Sequence, residues 1–159
     1  MKLLFKEKIF SWLGGYEIFD EEGRTVYNVK GQLSWGHCLK VFDANGNELG
    51  MIKQKVFSFL PKFEIYIGAE MRGCIRKELS FFKPRFNIDY NGWTVEGNLF
   101  EWDYKVRDTM GLDVATVTKE FFQWTDTYSI DVADSANALS VLLLVIAIDA
   151  EKNIREDRD

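Results

Sequence analysis

Residues 135–149 read Ser135-Ala-Asn-Ala-Leu-Ser-Val-Leu-Leu-Leu-Val-Ile-Ala-Ile-Asp149, and from Ala138 to Ile148 only Ser140 is polar. A helix on a protein surface keeps one hydrophilic face. This segment has none, so something apolar surrounds it, either protein or lipid. Length separates the two. A membrane span takes roughly 20 apolar residues, whereas runs of about 10 to 14 are characteristic of buried core helices. The stretch therefore predicts a helix over about 135–149 enclosed by the rest of its own chain. Asp134 and Ser135 offer side-chain oxygens to the unpaired N–H groups of the first turn, and Asp134 places negative charge at the positive end of the dipole. Asp149 stands where a cation is preferred. Either a Lys or Arg of the surrounding shell pairs with it, or it lies in solvent past the last buried turn. Residues 151–159, Glu151-Lys-Asn-Ile-Arg-Glu-Asp-Arg-Asp159, read as a polar, solvated tail. Residues 1–150 then form a single domain.

Everything before the helix reads as strand and turn. Lys2–Ser11, broken by Gly14-Gly15, is a first strand, and Tyr16-Glu-Ile-Phe19 a second. Asp20-Glu-Glu-Gly23 turns the chain into Thr25–Gly31. The pattern repeats with Leu39–Asp43, the turn Ala44-Asn-Gly-Asn47, and Glu48–Phe57. Both units carry Phe-Asp-x-x-Gly, at Phe19–Gly23 and Phe42–Gly46, and a looser copy is expected at Phe86–Gly92 before Trp93–Gly97. Asn91-Gly92 is a strong hairpin signal. Further strands are expected at Lys62–Gly68, Gly73–Ser80, Tyr104–Arg107, Asp113–Thr118 and Thr127–Val132. About a dozen short strands at regular spacing, followed by one wholly apolar helix, have a natural solution: a mainly β fold, a closed antiparallel barrel of about twelve strands around the buried hydrophobic C-terminal helix. Closure removes exposed sheet edges, and the helix fills a lumen too wide for strand side chains alone.

Composition bounds the function. The chain carries 28% charged residues, a net charge of −5, one histidine and two cysteines. The negative balance argues against nucleic-acid binding. The N-terminus is interrupted by Lys2, Lys6, Glu7 and Lys8 and contains no secretion signal. Cys38 and Cys74 form no C-x-x-C pair and read as reduced thiols of a cytoplasmic protein, peripheral at a membrane if lipid is the ligand. Charge is unevenly spread: residues 53–85 hold eight basic and three acidic side chains. Such a basic segment suits an anion or an anionic membrane. The candidate ligand residues are Arg72, Arg76, Lys77, Lys83 and Arg85, as charge donors to a phosphate group. Phe57, Phe59 and Leu60 beside Lys53, Lys55 and Lys62 suggest an interfacial membrane contact if they are exposed.

Catalytic signals are sparse. His37 adjoins Cys38, but neighbours on a strand face opposite sides. The turn Asp43–Glu48 lacks the glycine and glutamate spacing of a calcium loop. No phosphate-binding, dinucleotide-binding or nucleophile-elbow motif occurs. No enzyme activity, cofactor or metal is expected. Trp35, Trp93, Trp102 and Trp124 either line a binding wall or pack the barrel interior and ends.

Trp124-Thr-Asp-Thr-Tyr-Ser-Ile-Asp-Val132, followed at once by an apolar helix ending Ile146-Ala-Ile-Asp149, resembles the C-terminal signature of the LURP-one-related proteins, and the Phe-Asp-x-x-Gly hairpins are similar as well. That family is grouped with Tubby C-terminal domains and phospholipid scramblases. The resemblance implies a barrel of about twelve strands around a central hydrophobic helix. Within that family the expected role is a non-enzymatic binding module whose partner is an anionic phospholipid or a protein; the missing membrane span and missing palmitoylation-type cysteine cluster argue against an integral membrane protein of the scramblase kind. A scaffold or stress-response interaction protein with no small-molecule ligand is the alternative.

Overall fold

The structure is a computed structural model that describes residues 1–6, 14–57, 60, 62–78, 85–121 and 126–156. Twelve strands precede one helix. They are β1 (Lys2–Lys6), β2 (Gly15–Phe19), β3 (Thr25–Gln32), β4 (Cys38–Asp43), β5 (Glu48–Lys55), β6 (Lys62–Ile67), β7 (Glu70–Glu78), β8 (Arg85–Tyr90), β9 (Thr94–Asn98), β10 (Asp103–Arg107), β11 (Asp113–Phe121) and β12 (Asp126–Val132). A 3-10 turn at Ser135–Asn137 leads into α1 (Ala138–Glu156). The strands form one antiparallel sheet in the order β8-β7-β6-β5-β4-β3-β2-β1-β12-β11-β10-β9. β1 closes onto β12 in register from Lys2↔Asp131 to Lys6↔Thr127. The result is a nearly closed barrel whose two sheet edges, β8 and β9, are joined by the tight turn Asn91-Gly92; the turn falls where the sequence signal placed it, but the strands on either side are not paired as a hairpin.

Period-2 alternation builds the lumen. In β6, Phe63 and Ile65 point inward and are fully buried, while Lys62 and Glu64 point outward. Inside, no residue from Val141 to Ile148 is more than 3% exposed, so the expected enclosure of the apolar helix is realised. The helix packs against Gly50 of β5, where a Cβ would sit 2.6 Å from the Tyr66 carbonyl oxygen and 3.0 Å from Leu143 Cδ1. At the N-terminal end the Asp134 carboxylate accepts from the Ala136 N–H at 3.0 Å, the expected capping contact.

Three hairpins share one turn. In each, an aspartate accepts from the N–H groups two and four residues on: Asp20 from Glu22 and Arg24, Asp43 from Asn45 and Asn47, Asp108 from Met110 and Leu112. Each ends on a glycine with φ between 78° and 87°, a conformation that costs an L side chain roughly 1–2 kcal/mol. Each is followed by a one-residue bulge. The third copy is thus Asp108-Thr-Met-Gly111, not the Phe86–Gly92 segment expected from sequence. There the chain turns in two residues, with both Asn91 and Gly92 at positive φ.

Residues 151–156 do not form the solvated tail expected from sequence. α1 runs to Glu156, and Glu151, Lys152 and Ile154 are 4%, 8% and 8% exposed. The barrel mouth is deep enough to take in these polar residues. Lys152 Nζ lies 4.6 Å from the Trp102 ring centroid and 5.8 Å from that of Phe100, so its charge rests on aromatic faces.

Candidate functional site

The connections from odd to even strands all lie at one end of the barrel, and those from even to odd strands at the other. The second end carries the short aspartate turns. The first, here the loop end, carries the longer connections, the C-terminus of α1 and most of the basic residues of 53–85.

Strand register decides which of those residues meet. On the outer face, Lys55 of β5 stands directly opposite Lys62 of β6, and Lys62 directly opposite Arg76 of β7. Three cations on adjacent strands thus form one row across the sheet at its loop end. Lys53 belongs to the next row, opposite Glu64. Glu64 lies 4.0 Å from Lys55 Nζ, an ion pair at the limit of contact. Among the described residues no carboxylate reaches salt-bridge distance of Lys53, Lys62 or Arg76. Like charges directly opposed on a sheet destabilise it, by up to about 1 kcal/mol per pair. The row is therefore a local cost to the fold.

Of the described residues expected to hold a phosphate, only Arg76 joins this row. Arg72 is the bulged residue of β7, exposed, four residues away and 3.3 Å from Glu70. Lys77 shares the inward parity of Ile75, is half-buried, and pairs in register with Phe86. Lys83 lies outside the described residues. Arg85 opposes Glu78 in the β7–β8 ladder. The residues that complete the row, Lys55 and Lys62, lie within the basic segment but outside that set.

The loop end also exposes apolar side chains. The β3–β4 connection carries Leu33 and Trp35, 85% and 83% exposed, and the residues after β5 carry Val56 and Phe57, 49% and 87% exposed. The two loops brace one another. The His37 N–H donates to Gln54 Oε1 at 3.1 Å and the Gln54 N–H to the His37 carbonyl at 2.8 Å. Gly36, at φ 92°, lies so close that a Cβ would be 2.5 Å from Val56 Cγ2. Phe59, expected beside Phe57, lies outside the described residues.

A family model for the LURP-one-related proteins matches residues 1–149. The chain belongs to the LURP-one-related family. The Bacillus subtilis (strain 168) protein YxjI, described as uncharacterized, is 29% identical over 150 residues, spanning 94% of this chain and 92% of its own. A crystal structure of an Arabidopsis thaliana protein shares the fold, with a TM-score of 0.58 over 93% of this chain and 90% of that one at 13% identity.

Two further places in this LURP-one-related barrel bring polar groups together. A cleft of about 380 Å³ lies outside β1 and β2, lined by Leu4, Lys6, Phe19, Asp20 and Glu21 among others. The two strands share only the Leu4↔Phe19 pair there. One lysine facing two carboxylates does not suit an anion. The lumen at the loop end holds Asp149, which accepts from the Asn153 side-chain amide at 3.2 Å, a neighbour on its own helix. Burial, followed by the Asp149 charge, raises the phenol pKa values of Tyr16 and Tyr104 far above the ordinary value. The Tyr104 hydroxyl is buried with no hydrogen-bond partner among the described residues. The surrounding aromatics pack tightly: Trp102 on Tyr128 at 4.2 Å and Phe5 on Tyr128 at 5.3 Å between centroids. Trp102 and Trp93 serve packing, and only Trp35 of the described tryptophans is free of the interior. Cys38 and Cys74 are both buried free thiols.

Proposed function

We propose that this protein is a non-enzymatic binding module that contacts anionic phospholipid at a membrane surface through the outer face of β5–β7. One observation carries the reading: Lys55, Lys62 and Arg76 are held directly opposite one another on adjacent strands. Such a row repels itself in the isolated protein, and a negatively charged surface relieves it. Each cation near an anionic leaflet contributes about 1 kcal/mol, so the row with Lys53 supports weak, salt-sensitive association. The net charge of −5 opposes this on the whole-molecule scale, which confines contact to one face. Among the described residues no helix is long and apolar enough to cross a membrane, which accords with attachment from outside.

Co-sedimentation with vesicles of phosphatidylcholine alone or with a phosphatidylserine fraction tests the reading. Binding is expected only to the anionic vesicles, with loss in high salt. The triple variant K55E/K62E/R76E, all at outer strand positions, is expected to stay folded and to lose most of that binding. Equal binding by variant and wild type, or none by wild type, would overturn the proposal.

A further inference from the structure

The exposed apolar tip at the loop end gives that surface a second component. Leu33, Trp35, Val56 and Phe57 are large apolar residues presented to water on two braced loops. Exposed apolar clusters rimmed by polar residues mark contact sites. Their position fixes the partner. Lys55 immediately precedes Val56 and Phe57, and Lys62 and Arg76 continue its row, so the tip projects beyond a band of cations. A strand rises about 3.3 Å per residue, which places Phe57 within roughly 7 Å of the Lys55 rung and Lys53 within roughly 13 Å. Peripheral elements bury their apolar part about 5–10 Å into the headgroup and acyl boundary, with cations above. Tryptophan is the side chain most suited to that boundary, with an apolar body and a polar N–H.

The opposite end supplies a contrast. Met110 and Leu112 are also exposed there, at 81% and 61%. Their surroundings differ in charge. Asp108 forms the turn itself, and the nearby cations Lys105 and Arg107 are spent on Asp113 and Glu96 at 2.8–3.1 Å. At the loop end the exposed apolar residues stand beside Lys62 and Arg76, which no carboxylate among the described residues reaches.

We infer that the β3–β4 connection and the residues Val56 and Phe57 directly after β5 insert into an anionic bilayer, Trp35 and Phe57 entering the interface while Lys55, Lys62 and Arg76 lie against the headgroups. The inference rests on the lipid reading above and adds depth and orientation to it: the barrel stands on its loop end.

Tryptophan quenching by brominated phosphatidylcholine in vesicles that also contain phosphatidylserine measures insertion. Wild-type protein is expected to be quenched, and W35F to lose a distinct part of that quenching while still sedimenting with the vesicles. The double variant W35S/F57S removes only exposed side chains and is expected to keep its melting temperature but bind the vesicles about tenfold or more weakly. Anionic-vesicle binding with no difference in quenching between wild type and W35F, and no weakening in W35S/F57S, would overturn the insertion and leave the basic face standing. A failure of wild type to bind would remove both. A tip buried between two copies in solution would also overturn the insertion. It would show as a dimer that W35S/F57S converts to monomer, with no vesicle-dependent quenching.

Discussion

The Tyr90 hydroxyl donates to the backbone carbonyl of Ser140 at 2.9 Å, joining the edge strand β8 to the first turns of the central helix. Tyr90 is otherwise enclosed, with the Trp93 ring set edge-on at 5.4 Å. β8 has a strand neighbour on one side only, so this bond anchors an edge that the sheet alone secures poorly. Tyr90→Phe keeps the ring and removes the donor. It is expected to lower stability by about 0.5–1.5 kcal/mol in urea unfolding, with faster amide exchange in β8 than in β4 or β5. Uniform exchange across these strands would show that the bond does not hold the edge.

Helix and wall fit without slack. Gly50→Ala places a Cβ against the Tyr66 carbonyl, which belongs to a ladder strand and cannot step aside. A loss of about 1–3 kcal/mol is expected, as for overpacking generally. Leu142→Asp is more severe, because a lone carboxylate in an apolar lumen costs several kcal/mol, comparable to the whole stability of a domain. Circular dichroism and solubility report both. Soluble, cooperatively melting L142D would contradict the enclosed helix.

Two of the aspartate turns contribute acid sensitivity. The Arg24 N–H holds the Asp20 carboxyl below its ordinary value, with the Arg24 guanidinium adding to it, and the Asn47 side-chain amide does so for Asp43. A carboxyl whose folded pKa is depressed contributes stability that is present above its unfolded value, near 3.8 here, and that is lost as pH falls through the folded value. Melting temperatures are therefore expected to hold from pH 7 to about 5 and to fall below pH 4. D20N/D43N, which keeps an accepting oxygen but cannot titrate, is expected to show a shallower fall. An unchanged slope would place the acid sensitivity elsewhere.

Much of the fold was legible before any coordinates. Alternation in segments such as Lys62–Ile67, and its absence from Ala138–Ile148, separate strands from the enclosed helix without reference to tertiary contacts. The aspartate turn was readable at Phe19 and Phe42. It is hidden at Asp108, where Arg107 stands in place of the phenylalanine of the Phe-Asp-x-x-Gly pattern. The working part is Asp-x-x-Gly alone. The helix end was misread because Glu151 and Lys152 are polar, and their polarity alone does not reveal that Trp102 and Phe100 wait at the barrel mouth.

The candidate site was less legible, for a reason of parity. Counting back from the Gly68-Ala69 turn, Lys62 should oppose Ile75. The bulge at Arg72 shifts the ladder by one residue, so Lys62 meets Arg76 and Ile75 turns inward. Composition located the basic segment, but nothing in the local sequence announces that bulge. Arg72, Arg76 and Lys77, chosen from charge alone, therefore scatter over two faces and two ends.

Closure through β1 and β12 sets a timetable for biosynthesis. The first strand made has to wait for the last, and the core filling emerges from the ribosome only after every strand. At about 5–20 residues per second, making the segment from β1 to the end of β12 takes roughly 6–26 s, during which every strand already made lacks the core filling and the closing partner. A premature stop anywhere before the helix would release a product that no later event can repair, so truncated alleles should behave as aggregation substrates rather than as partly active forms.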